Sequence, residues 1–146
     1  MDSNAVKDID QYAEKARFFI DSEKFKCLIP GVHYSSPWSN DSLNECEMLF
    51  LRTQREHLTC TYENYVMFLG EGLRRTFSGE WKRGDFLSSD LHSLIGIYYP
   101  STKHFDVVSN FLQEALFLSS GKTWSASFAA TNHLLSKRSS TKGDMW

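Results

Sequence analysis

Apolar residues recur at steps of three and four along most of this chain, and one stretch near its middle breaks that rhythm. Val6, Ile9, Ala13, Ala16, Phe19 and Ile20 define an amphipathic helix over roughly residues 4–26, with Ser3 or Asn4 as its cap. Pro30-Gly31 closes that segment, and residues 31–41 (GVHYSSPWSND) read as a loop. Ser42-x-x-Glu45 has the form of a capping box, and Leu43, Cys46, Leu49, Phe50 and Thr53 follow on one face. Tyr62, Tyr65, Val66, Leu69, Leu73 and Phe77 make a third set. Two helices near 42–58 and 61–77 are therefore predicted, split by the poor helix formers Thr59-Cys60-Thr61.

Between Gly79 and Tyr99 the period changes. Glu80-Trp81-Lys82-Arg83 reads as a short strand. Leu94-Ile95-Gly96-Ile97-Tyr98-Tyr99 is a compact β-prone run closed by Pro100. Two strands are marginal alone, so a third is expected from 31–38 or 123–128. Beyond Pro100 the helical period returns. Ser101 or Thr102 would cap a helix burying Phe105, Val108, Leu112 and Ala115, with Gly121 past its end. Trp124, Phe128, Thr131 and Leu135 favour a last helix, with a strand over 123–128 as the alternative. Residues 136–146 are polar and basic and read as a flexible tail. The expected architecture is a single α+β domain over 1–135, mainly helical with four to five helices and a small antiparallel sheet.

Composition narrows the function classes. The net charge of −2 is far from the basic balance that nucleic-acid binding requires. The charge is uneven: residues 1–50 carry nine acids against five bases, which makes the N-terminal third the acidic side. Cys27, Cys46 and Cys60 are odd in number and widely spaced, as in a reducing cytoplasm rather than a disulfide framework. No basic region followed by an apolar stretch opens the chain, and no window approaches eighteen apolar residues, so neither secretion nor a membrane is expected. The aromatic fraction of 14% is high. Each ring can bury about 150–250 Å², so either the core is aromatic or some rings wait for a partner.

Motifs for chemistry are sparse. Ser119-Ser120-Gly121-Lys122-Thr123 has the tail of a phosphate loop, but Leu116 stands where the motif needs its first glycine. His57 and Cys60, with Glu56 and Glu63 nearby, do not complete a metal site, and no metal or cofactor is expected. No nucleophile elbow appears. His92 and His104 flank the second strand and could form an acid/base pair across its end.

Gly70-Glu71-Gly72-Leu73-Arg74-Arg75 is the most individual stretch. Two glycines inside a helical pattern each cost about 1 kcal/mol against alanine. They imply close backbone approach by another element, with Tyr98 or Trp124 as the expected occupants. Glu71 stands four residues before Arg75, the favourable order for an ion pair. The stretch reads either as a tightly packed helix or as a groove in which Glu71 and Arg74 meet Trp81.

Taken with Gly79-Glu80-Trp81, the later apolar strand and the helix after it, this segment resembles small bacterial immunity proteins of polymorphic-toxin and contact-dependent growth-inhibition systems. The likeness spans roughly residues 60–118. It implies a non-enzymatic, cytoplasmic protein, monomeric or dimeric, that neutralises a cognate toxin domain by occluding its active site. It transfers no binding residues, because such surfaces diverge with their toxins. From the residues themselves, the expected contact surface joins the acids Asp41, Glu45 and Glu47 to the aromatic anchors Tyr34, Trp38 and Trp81, with Asp85 and Asp90 nearby. A small His-dependent hydrolase or nuclease and a non-catalytic adaptor are the alternatives.

Overall fold

The computed structural model describes residues 8–55, 62–91 and 93–144. Among the described residues, six helices, one more than the four to five expected, and a three-stranded antiparallel sheet form the α+β architecture that the periodicity predicts. Helix α1 (Ile9–Asp21) begins at Asp8, whose carboxylate accepts from the Gln11 N–H at 3.0 Å. The expected caps Ser3 and Asn4 lie outside the described residues. The helix stops at Asp21 rather than running to 26. The chain then turns through Glu23, in the left-handed region at φ 64°, into the single turn α2 (Phe25–Leu28).

Helix α3 (Asn40–Arg55) starts two residues before the expected capping box. Ser39 fills that role, its hydroxyl accepting from the Ser42 N–H at 3.2 Å. Ser42 is itself buried and ties down the preceding loop by accepting from the His33 N–H at 3.0 Å. Helix α4 (Tyr62–Phe77) lies as the periodicity places it. Ser78, at φ 58°, takes the left-handed position at its end, and the Gly79 N–H returns to the Arg74 carbonyl.

Strands β1 (Glu80–Arg83) and β2 (Ile95–Tyr99) match their expected spans. The third strand comes from neither expected segment. It is β3 (His104–Val107), which returns antiparallel on β2 so that Gly96 faces Val107 and Tyr99 faces His104. A tight turn makes this geometry: Lys103 adopts φ 59° and its N–H, like that of Thr102, closes on the Tyr99 carbonyl. The Phe105 and Val108 spacing that suggested helix is thus split between a strand and the first helical residue. Helix α5 (Val108–Leu118) follows without a side-chain cap and ends at left-handed Ser119. Residues 123–128 are helical, opening α6 (Thr123–Asp144), which continues through the polar segment.

The core sits where α4 meets α1, α5 and the sheet, and where α3 meets α6. It is strongly aromatic. Phe50, Tyr65 and Trp124 cluster at centroid distances of 4.9–5.8 Å, and Phe25, Trp38 and Phe68 stack at 5.6–6.5 Å. These separations suit tilted and offset rings, which add about 0.5–1.5 kcal/mol per pair beyond area burial. Among the described residues, no helix is long and apolar enough to cross a membrane.

Candidate functional site

Two of the three expected aromatic anchors face inward, and they explain the glycine pair in α4. A β-carbon at Gly70 would stand closer than 3.0 Å to the Trp81 ring, and one at Gly72 closer than 3.0 Å to Trp38. The two indoles, not Tyr98 or Trp124, occupy the space the glycines leave open. Trp38 donates its ring N–H to the Phe68 carbonyl at 2.9 Å, and Trp81 is buried edge-on against Tyr12. Neither is a free surface anchor in this fold.

Glu71 lies between them, fully buried. Its carboxylate accepts from Arg74 through two bonds at 2.9 Å, from Arg75 at 2.8 Å and from the Trp81 indole at 2.8 Å. Burial opposes ionisation of this group. The bonds from Arg74, Trp81 and Arg75 outweigh it and hold the carboxyl below the usual glutamate range. Arg75 also reaches Asp21 at 2.9 Å, which ties α4 to the end of α1. Glu71, Arg74 and Trp81 do meet, as the groove reading requires, but in the packed interior.

Glu47 is likewise withdrawn from the expected acidic surface. It is fully buried, and its two oxygens accept from the backbone N–H groups of Thr123 and Trp124 at 3.1 and 2.7 Å. A carboxylate from α3 therefore caps α6, satisfying its first free donors and complementing its positive end. The same bonds leave these N–H groups unavailable to cradle a phosphate beside Gly121.

What stays outside is a different surface. Asp41, Glu45, Met48 and Arg52 repeat at four, three and four residues and form the exposed stripe of α3. Glu45 pairs with His33 at 2.9 Å, and Tyr34 beside it is 62% exposed, with the Lys26 ammonium over its ring. Met48 packs on the turn at Gly121, three residues beyond Leu118. There the end of α5 exposes three consecutive apolar side chains, Leu116, Phe117 and Leu118, with Phe117 86% exposed. Sequence periodicity missed this patch because it falls after the last buried position of α5. Asp85 and Asp90 belong to the β1–β2 connection, where Arg83 pairs with Asp85.

A second feature is a groove of about 450 Å³ between β3, α5 and α6. Asp106 stands in its wall and gathers three donors: the Tyr99 and Thr131 hydroxyls on one oxygen, each at 2.9 Å, and the His104 Nε2 on the other at 2.8 Å. Burial, with the adjacent Asp106 charge, pushes the Tyr99 phenol far above its ordinary range, so it stays protonated and donates. His92, the expected partner of His104, lies outside the described residues, as do His57 and Cys60. Among the described residues no group of three or more His, Cys, Asp or Glu side chains is placed to hold a metal ion.

Neither a protein-family model, a curated protein nor a solved structure matches the chain. Its function is therefore read from its own surfaces.

Proposed function

We propose that this chain is a non-catalytic binding protein of the immunity type, which neutralises a cognate toxin domain in the cytoplasm by covering its active site. The observation that supports this best is the run of exposed apolar side chains at Leu116, Phe117 and Leu118, which precedes the turn at Gly121 that Met48 of the α3 stripe packs on. Contiguous exposed apolar side chains are uncommon on solitary soluble proteins and mark protein contacts. Burying a side chain such as Phe117 is worth about 1.5–3 kcal/mol, which association recovers. Asp41 and Glu45 add negative charge to the exposed α3 stripe that carries Met48, which suits a basic, nuclease-like partner and speeds its encounter. The three separated cysteines fit a reducing compartment.

The test is charge reversal at Asp41 and Glu45 together, read as association with the proposed cognate toxin domain. The reading expects a slower association and a flatter salt dependence. Unchanged rates and salt dependence would exclude the acidic rim from the contact.

One observation favours a second reading, a small His-dependent hydrolase. Asp106 orients His104 in a groove of ligand size, as a general base requires. That reading needs a measurable hydrolysis that His104→Ala abolishes. Activity surviving the substitution would end it.

A further inference from the structure

Hydrogen-bond inventory decides what the groove between β3, α5 and α6 can accept. An ionised carboxylate is acceptor-only, so every group bonded to Asp106 must donate to it. The Tyr99 proton, the Thr131 proton and the His104 Nε2 proton are all turned toward Asp106. What these residues have left to offer is lone pairs: on the Thr131 oxygen and, in the neutral imidazole, on Nδ1 of His104. The opposite wall adds the Glu114 carboxylate and the Asn110 amide, both on α5. Among the described residues no lysine or arginine lines this space. The remaining lining sets the Ser127 hydroxyl among apolar and aromatic side chains, chiefly Phe105, Phe111 and Leu134. The cavity thus combines the Glu114 carboxylate, acceptor sites on Thr131 and His104, the amide and hydroxyl of Asn110 and Ser127, and aromatic ring faces. Its volume lies within the range of about 300–1,000 Å³ typical of ligand sites.

We infer that this groove binds an arginine side chain presented by a partner polypeptide. A guanidinium carries five N–H donors and no acceptor, is permanently charged, and stacks on aromatic faces. Its three-carbon stem suits the apolar wall. A carboxylate or phosphate ligand would face Glu114 and Asp106, and among the described residues no lysine or arginine lines the groove to meet it. The inference rests on the reading that the partner is a protein and names the chemistry of one of its contacts.

The experiment is a titration of the intact chain with the blocked peptide acetyl-Gly-Arg-Gly-amide, followed by amide and imidazole NMR shifts. The citrulline peptide, which has the same shape without the charge, is the control, and free arginine is a third arm. We expect saturable shifts at His104, Asn110 and Glu114 with the arginine peptide. Citrulline should bind about tenfold more weakly, and Glu114→Gln should lose a similar factor, as removal of a charge-assisted hydrogen bond does. His104→Ala, which removes a rim acceptor together with its bond to Asp106 and its stacking on Tyr99, should also weaken binding. Equal binding of the arginine and citrulline peptides, or no saturable shift, overturns the proposal. Tighter binding of free arginine than of the blocked peptide would make the ligand the amino acid and overturn the peptide assignment. Either failure, with toxin binding through the α3–α5 surface intact, rejects the arginine site alone.

Discussion

The Trp81 indole donates to the buried Glu71 carboxylate across 2.8 Å while its ring lies against the bare backbone of Gly70. One residue of β1 thereby uses two features of the same helical turn, a missing side chain and a buried charge. Trp38 repeats the first of these at Gly72 from the opposite end of the Gly-Glu-Gly triplet. The helix is held between two tryptophans contributed by a loop and a strand.

Gly70→Ala and Gly72→Ala should therefore destabilise the protein. Alanine gains about 1 kcal/mol of helix propensity, but forcing a methyl group against a packed indole costs about 1–3 kcal/mol. The net expectation is a loss of about 1–2 kcal/mol in urea unfolding. The sign is decisive, because an exposed helical glycine would be stabilised by the same change.

Glu71→Gln should cost more, about 2–4 kcal/mol, since it strips the charge from a buried carboxylate while leaving two arginines in place. The pH dependence follows from its lowered carboxyl. A group depressed in the folded state contributes stability above its unfolded value of about 4.3. That contribution is lost as pH falls through the lower folded value. Urea midpoints measured from pH 7 to pH 3 should fall steeply below about pH 4, and the Gln variant should lack part of that slope.

Glu47→Ala removes both acceptors from the start of α6 and should cost about 2–3 kcal/mol, the upper range for hydrogen bonds to a charged group. Hydrogen exchange should report where the loss falls. Faster exchange at the Thr123 and Trp124 amides is expected, with α4 little affected.

Cysteine reactivity supplies an independent check on packing. Burial pushes the Cys46 thiol up to about 12, so at neutral pH it is almost wholly protonated and inert. Cys27 is exposed. Native-state alkylation should modify Cys27 readily and leave Cys46 untouched until urea unfolds the chain. Labelling of Cys46 at a rate comparable to Cys27 would contradict the packing of α3.

Much of the fold was legible in the sequence because its signals are local. The Trp81 and Ile97 strands, the Tyr62–Phe77 period and the Glu71–Arg75 pair all declare themselves within a few residues. Even the close approach at Gly70 and Gly72 was visible as a vacancy, though not its occupants. Which indole fills a gap depends on tertiary contacts, and Trp38 stands 34 residues from Gly72. Glu47 was illegible for the same reason: the N–H groups it caps lie 76 and 77 residues away. The strand at His104–Val107 was hidden by apolar spacing that also fits a helix. Only the hairpin turn at Lys103 decides between them.

The proposed function depends most heavily on the exposed end of α5 as the contact surface. Its sharpest check is the dissociation constant of the proposed cognate toxin domain, measured by calorimetry for the wild-type protein and for Phe117→Asp. Phe117 is exposed, so the substitution should leave the unfolding midpoint unchanged. Binding should weaken by at least about thirtyfold, the loss expected of a central aromatic anchor. Wild-type affinity in the Phe117→Asp protein would contradict the assignment of this surface.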